Sequence, residues 1–242
     1  VIAFQADGSG LYTMQALWTM AREALDITIV ICANRAYRIL QVELARAGIA
    51  EPGPTARGLT QLGPPPVDWA LAARAFGAQR TFFATNGTST ANKVIFQTLL
   101  APGDKLLLDR NCHKSVHHGV ILSGAQPVYL DSSVNRQYGL FGPVPKATLA
   151  AAITANPDAK VLILTSCTYD GLRYDLKPII AMAHAAGIKV IIDEAWYGHA
   201  RFHPELRPTA LESGADYATQ STHKVLSAFS QASMIHVNDP GF

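Results

Sequence analysis

A lysine and an aspartate are the two residues of this chain with the clearest chemical potential. Lys224 lies in the polar sequence Ser221-Thr222-His223-Lys224, and Asp193 directly follows the apolar run Val190-Ile191-Ile192. An amine can form a Schiff base with an aldehyde, and a carboxylate at the end of a buried strand can keep a pyridine nitrogen protonated. The pair therefore predicts pyridoxal phosphate (PLP) as a cofactor, with Lys224 as the Schiff-base lysine and Asp193 as the partner of the ring nitrogen.

A phosphate-binding segment is predicted at Asn86-Gly87-Thr88-Ser89-Thr90, where a strand gives way to a helix. Backbone N–H groups at a helix N-terminus, with hydroxyl groups beside them, form a cup for phosphate. The spacing is not that of a Walker loop, which weakens an NTPase interpretation. His113 follows the next strand and could lie flat on an aromatic cofactor ring, although this position is equally typical of a helix cap.

A second possible site, with different chemistry, lies near the N-terminus. Asp7-Gly8-Ser9 follows one apolar strand and Asn34 follows the next, so both should lie at the same edge of a parallel sheet. A carboxylate, an amide oxygen and a nearby backbone carbonyl are ligands that suit Mg²⁺, and Gly8 and Gly10 would let a diphosphate approach the backbone. By itself, the tripeptide is more typical of a turn followed by a helix cap.

The segments that must position these residues alternate between short apolar runs and helical patterns. This alternation predicts an α/β fold with a mostly parallel sheet and helices on both faces. The 242 residues, of which 49% are hydrophobic, suffice for one large domain or two smaller ones. We predict an irregular, extended connection at Glu51–Pro66, because it is rich in Pro and Gly. The other predicted strands and helices include strands at Val1–Gln5, Ile27–Cys32, Arg80–Ala84, Lys105–Asp109, Val161–Thr165 and Lys189–Ile192, and helices at Tyr12–Ala24, Tyr37–Ala47, Val67–Phe76 and Thr90–Leu100.

The composition also restricts the partners and the location. A net charge of +2 gives no reason to expect nucleic acid or an anionic membrane as a partner. The apolar stretches are far shorter than the ~20 residues of a membrane helix. Three scattered cysteines, without CxxC spacing, fit buried thiols in a reducing cytoplasm.

Residues from about Ala72 to Phe242 resemble the major domain of the bacterial ornithine/lysine/arginine decarboxylases, which have the aspartate-aminotransferase fold type. The longest similar stretch surrounds Lys224. The resemblance implies that Lys224 carries PLP, that Asp193 contacts its nitrogen and that His113 stacks on its ring. The quoted stretches are Thr85–Lys93, Asp109–Ser115, Ser166–Gly171 and Gln220–Val237, and the other implied cofactor contacts are Gly87, Thr88, Ser89, Trp196 and Ser221, with His223 beside the phosphate.

The same resemblance implies a reaction and an assembly. The amine of a basic amino acid would displace Lys224, the α-carboxylate would leave as CO₂, and Lys224 or His223 would reprotonate the α-carbon. In that family the active site is completed across a dimer interface, so we expect a homodimer or a larger homo-oligomer. Because this chain stops soon after Lys224, we expect turnover to be impaired by truncation.

The first part of the chain resembles a different family. Asp7-Gly8-Ser9, the following Gly10–Arg22 and Asn34 are similar to the thiamine-diphosphate (ThDP) binding motif of acetolactate synthase and pyruvate decarboxylase. The resemblance implies Asp7, Asn34 and the carbonyl of Ala36 as metal ligands. The family activates its cofactor with a glutamate from a separate domain, and nothing in this sequence corresponds to that domain. We therefore expect this segment to be catalytically silent.

The two resemblances predict a chimera. We assign residues 1–76 to a partial ThDP-binding segment and residues 77–242 to a decarboxylase-like domain, joined within the helix Trp69–Gly77. Three functions stay open: a PLP-dependent decarboxylase, a non-catalytic α/β scaffold with two relic half-sites, and a ThDP-dependent enzyme fragment.

Overall fold

A computed structural model of the chain divides into two compact units, residues 1–69 and residues 70–242. It describes residues 2–6, 28–32, 38–49, 51, 53–60, 69–84, 86–226, 228 and 230–242. The predicted metal ligands Asp7, Asn34 and Ala36, and the predicted helix Tyr12–Ala24, lie outside the described residues. Our division of the chain at residue 76 stays a prediction.

The smaller unit contains a pair of parallel strands, β1 (Ile2–Ala6) and β2 (Thr28–Cys32), followed by helices α1 (Arg38–Arg46) and α2 (Pro54–Thr60). Both strands and α1 agree with the sequence prediction to within about one residue. The prediction of an irregular segment was wrong for α2. A proline is well tolerated as the first residue of a helix, because the N–H that it lacks would have no helical partner there.

The larger unit is built on a seven-stranded sheet. From edge to edge its strand order is β3-β11-β10-β9-β8-β4-β5, and every strand except β11 runs in the same direction. The predicted α/β class with a mostly parallel sheet is therefore confirmed. Its strands and helices, with the small hairpin β6–β7, are α3 (Trp69–Phe76), β3 (Arg80–Ala84), α4 (Gly87–Leu99), β4 (Lys105–Asp109), α5 (Lys114–Ser123), β5 (Gln126–Leu130), β6 (Val134–Asn135), β7 (Leu140–Phe141), α6 (Lys146–Ala155), β8 (Ala159–Thr165), α7 (Leu176–Ala185), β9 (Lys189–Asp193), β10 (Tyr217–Gln220), α8 (Thr222–Val225) and β11 (Ser233–Val237).

The central strands β8 and β9 are mainly apolar because both faces of the sheet are covered. In β8, Leu162 and Leu164 pack into one buried cluster, while Val161 and Ile163 pack into a second cluster. This two-residue alternation assigns successive side chains to opposite faces. The first cluster includes α6 and α7, and the second includes α4 and α5. Among the described residues, every helix is too short or too polar to span a lipid bilayer.

Parallel strands bring their carboxyl ends to one edge of the sheet. β3, β4, β8, β9 and β10 all end there, and the antiparallel β11 begins there, with Ser233 opposite Ala84. Ligands of open α/β sheets bind at this edge. The residues predicted to bind PLP follow these strand ends.

Candidate active site

Four chain segments bring the predicted site residues to the carboxyl edge of the sheet. Asp193 is the last residue of β9, and Lys224 lies in the short helix α8 that follows β10. Thr88 lies in the first turn of α4, after β3, and His113 directly precedes α5, after β4. The parallel topology thus collects residues that are far apart in the sequence.

Asp193 is a buried carboxylate held by neutral donors. Only 2% of the residue is exposed. The side-chain amide of Asn92 donates to its Oδ2 at 2.9 Å, and the backbone N–H of Ala195 donates to its Oδ1 at 3.0 Å. Burial raises the pKa of Asp193, and these two bonds and the charges of His113 and Lys224 oppose that rise. A buried carboxylate of this kind is stabilised by a cationic partner at the sheet edge.

Glu194, the next residue, belongs to a different network. Its side chain is completely buried and accepts bonds from the backbone N–H of Ala210 at 2.7 Å and from the amide of Gln220 at 2.9 Å. Gln220 in turn contacts His236 at 3.0 Å, and His236 contacts Thr81 at 2.8 Å. Glu194 therefore points into the protein beneath the edge, and the sequence contained no pattern that indicated this network.

Lys224 lies beside an aromatic ring. Its Nζ is 4.6 Å from the centroid of the Trp196 ring, and Trp196 is 36% exposed. Burial lowers the pKa of the Lys224 amine, and the charge of Asp193 opposes that shift. A lowered pKa increases the fraction of free amine, which is the form that attacks a carbonyl carbon.

Two hydroxyl groups form the centre of the predicted phosphate cup. The Oγ1 of Thr88 and the Oγ of Ser221 lie 2.6 Å apart, and both residues are buried. This contact joins the start of α4 to the end of β10. Gly87 has φ +70°, and its N–H already donates to the carbonyl of Gln231, so it does not point into the cup. Ser89 is half-buried in the same turn.

The two predicted histidines have different surroundings. His113 is exposed at the edge and caps α5, since its Nδ1 accepts the backbone N–H of Ser115 at 3.2 Å. Burial of part of the ring lowers the pKa of His113. His223 is half-buried, and its Nδ1 donates to the carbonyl of Ala232 at 2.9 Å. Its Nε2 is therefore the nitrogen that can take up or release a proton.

Asn92 is the main site residue that the sequence analysis did not single out. It lies on α4, is fully buried, and bonds to Asp193, Ser115 and Thr219. The available signal was a polar residue on the apolar face of a helix. Ile95 and Phe96, which lie one turn further along α4, both belong to the buried core.

The donor set of this edge fits PLP. Asp193 offers a buried carboxylate for a protonated ring nitrogen, Lys224 offers an amine of lowered pKa, and the Thr88–Ser221 pair offers hydroxyl groups for a phosphate. Within the residues that the structure describes, no group of His, Cys, Asp and Glu side chains could hold a metal ion.

Two family models match the chain. Residues 61–241 match the Orn/Lys/Arg decarboxylase major domain. Residues 1–103 match the C-terminal TPP binding domain of thiamine pyrophosphate enzymes. The matches overlap between residues 61 and 103, and together they confirm the resemblance of the chain to two families.

Named relatives agree with the longer match. Lysine decarboxylase of Pseudomonas aeruginosa is 44% identical over 190 residues, which cover 70% of this chain and 25% of the relative. Arginine decarboxylase of Bacillus subtilis is 37% identical over 169 residues, covering 70% of this chain and 34% of the relative. The chain thus spans about a quarter to a third of the length of these curated relatives.

Solved structures share the architecture. The structure of lysine decarboxylase A from Pseudomonas aeruginosa aligns with a TM-score of 0.62 at 42% identity, covering 70% of this chain and 25% of that one. The constitutive lysine decarboxylase of E. coli aligns with a TM-score of 0.60 at 28% identity, covering 94% of this chain and 35% of that one. A serine palmitoyltransferase from Sphingomonas wittichii, at 19% identity and a TM-score of 0.58, shares the fold alone.

Proposed function

This chain belongs to the Orn/Lys/Arg decarboxylase family, and we propose that it binds PLP and removes the α-carboxylate of a basic amino acid. The observation that carries the proposal is the convergence of Lys224, the buried Asp193 and the Thr88–Ser221 hydroxyl pair at one edge of the sheet. Relatives named lysine and arginine decarboxylases support the choice of substrate.

The binding roles follow from position and chemistry. Lys224 is the amine that attaches the cofactor, and Asp193 keeps the ring nitrogen protonated. Thr88, Ser89 and Ser221 bind the phosphate, and the turn at Gly87 positions Thr88 and Ser89 for this contact. His113 covers one face of the ring, and Trp196 lines the pocket beside Lys224.

Catalysis requires that negative charge on the α-carbon be stabilised and then protonated. When bound, PLP supplies the electron sink for this charge. Asp193 stabilises that state because its carboxylate favours a protonated ring. Lys224 or His223 returns a proton to the α-carbon. His223 must first be protonated at Nε2, because its Nδ1 proton is held by the carbonyl of Ala232.

The test is a PLP titration followed by borohydride reduction and peptide mass mapping. We expect one pyridoxyl adduct, on the peptide that contains Lys224, and its loss in Lys224→Ala. Lys177→Ala, at an exposed lysine of α7, is the matched control and should retain the adduct. Equal labelling of the wild type and Lys224→Ala would contradict the assignment. Release of CO₂ from lysine, arginine and ornithine then tests the substrate.

Assembly and location are part of the proposal. We propose a homodimer or a larger homo-oligomer, as the family resemblance implies, and sedimentation of the purified chain tests this. We propose a cytoplasmic location, because three scattered cysteines without CxxC spacing are typical of a chain in a reducing compartment.

ThDP with Mg²⁺ is a second candidate ligand, supported by the family match over residues 1–103. Asp7, Asn34 and the carbonyl of Ala36 would be the metal ligands. Calorimetric titration with ThDP and Mg²⁺ tests this site, and binding that disappears in Asp7→Ala would support it. If neither cofactor binds, the chain is a non-catalytic scaffold.

A further inference from the structure

Asn92 connects two parts of the site through a fully satisfied set of hydrogen bonds. Its Nδ2 donates to Oδ2 of Asp193 at 2.9 Å and to Oγ of Ser115 at 3.0 Å, and its Oδ1 accepts the hydroxyl of Thr219 at 2.8 Å. A carboxylate only accepts hydrogen bonds, so the contact with Asp193 fixes which end of the amide carries nitrogen. Both N–H groups of Asn92 are therefore used.

The orientation of Asn92 determines the direction of the next bond. Because Ser115 accepts from Asn92, its own hydroxyl proton is free to donate to Nδ1 of His113, 2.9 Å away. The backbone N–H of Ser115 donates to the same Nδ1. With two donors directed at it, Nδ1 carries no proton, and the proton of the neutral imidazole lies on Nε2.

We propose that Asn92 is a positioning residue, which holds the Asp193 carboxylate and the His113 imidazole in a fixed relation and keeps the His113 proton on Nε2. The inference rests on the proposed function, because PLP is the ligand that the Asp193 carboxylate and the His113 imidazole would contact. Thr219, Asn92 and Ser115 are themselves buried, so water is kept from the bonds that run from Thr219 to Ser115, and only the His113 end of the chain is exposed.

The first test uses the ligand-free protein. The ¹⁵N resonances of the His113 ring, assigned with His113→Gln, report which nitrogen carries the proton. We expect Nδ1 to resonate as an unprotonated nitrogen in the wild type. In Asn92→Ala and in Ser115→Ala the Nδ1 and Nε2 resonances should approach each other, and the double variant should shift no further than either single variant.

The second test separates positioning from a structural effect. PLP and its 1-deaza analogue, which lacks the ring nitrogen, are titrated against each variant. We expect Asn92→Ala to reduce the preference for PLP over the analogue by roughly 10- to 100-fold, the factor that corresponds to one hydrogen bond to a charged group. Ser115→Ala should leave this preference unchanged, because it keeps the bond from Asn92 to Asp193.

Several outcomes would overturn the proposal. These are a proton on Nδ1 of His113 in the wild type, unchanged His113 resonances in Asn92→Ala, or an equal loss of affinity for PLP and for its 1-deaza analogue in Asn92→Ala. If Asn92→Ala does not fold, Ser115→Ala tests the histidine arm and Thr219→Val tests the carboxylate arm. Asn156→Ala, which removes a bond to Ala152 at the end of α6, is the control. Failure of the wild type to bind PLP would refute the proposed function, while the measurement on ligand-free His113 would still decide this inference.

Discussion

Replacement of Glu194 by glutamine should remove a pH dependence from the stability of the larger unit. Burial raises the pKa of Glu194 to about 7 from its ordinary value of 4.5. Between pH 4.5 and pH 7 Glu194 therefore keeps its proton in the folded chain and has lost it in the unfolded chain. The stabilising contribution is therefore fully present below pH 4.5 and is lost as the pH rises through 7. At ~1.4 kcal/mol per pKa unit, the difference amounts to about 3 kcal/mol.

The glutamine variant is neutral at every pH but loses hydrogen bonding. Its NH₂ group would face the NH₂ group of Gln220, which now donates to Glu194, at a cost of ~1–3 kcal/mol that does not vary with pH. The stability advantage of the wild type should therefore shrink by about 2–3 kcal/mol between pH 5 and pH 8.5.

Urea unfolding, followed by circular dichroism at several pH values, measures this difference. The control is Glu205→Gln, because Glu205 is exposed and its replacement should leave the pH profile unchanged. If the wild type and Glu194→Gln differed by the same free energy at every pH, the pKa of Glu194 would be the same in the folded and unfolded chains, and the reasoning would fail.

Three further expectations concern packing and acid stability. Gly119→Ala would place its methyl group 3.0 Å from the ring of Phe96 and should lower the free energy of unfolding by about 1–3 kcal/mol. Gly58→Ala, with nothing within 4 Å of the added methyl group, should raise the free energy of unfolding by up to ~1 kcal/mol. Equal effects of the two substitutions in denaturant titrations would contradict this expectation. Leu162→Ala, at a fully buried site, should cost about 2–5 kcal/mol, and a loss below ~1 kcal/mol would show that the core relaxes around the cavity. Burial lowers the pKa of His236 to about 3 from 6.5, so stability should be lost as the pH falls below 6.5. His236→Gln should lose less stability over the same pH range. If the stability of the wild type and of His236→Gln fell equally with pH, the assignment would be refuted.

Local sequence patterns were sufficient for most of the fold. β4 and β9 were predicted because their apolar runs are short and lie between helical patterns, and in the structure each has a strand on both sides within the sheet. The helix α2 was missed because Pro and Gly were taken as breakers throughout the segment, although a proline at the first position of a helix is compatible with it.

The residues proposed to hold the cofactor could be recognised without the structure. Asp193 directly follows an apolar run, and Lys224 lies in a polar segment with hydroxyl groups and an imidazole. Their arrival at the same edge follows from the parallel pairing of β9 and β10, which the structure supplies.

The way in which these residues are held depends on contacts between segments that lie far apart in the sequence. Asn92 meets Asp193 across 101 residues and Thr219 across 127, and such pairings leave no periodicity in the sequence. The same holds for Glu194, whose direction into the protein depends on Gln220 in the neighbouring strand. Hydrogen bonds between distant segments depend on the register of packed strands and helices, and this register is fixed only when the whole core is assembled.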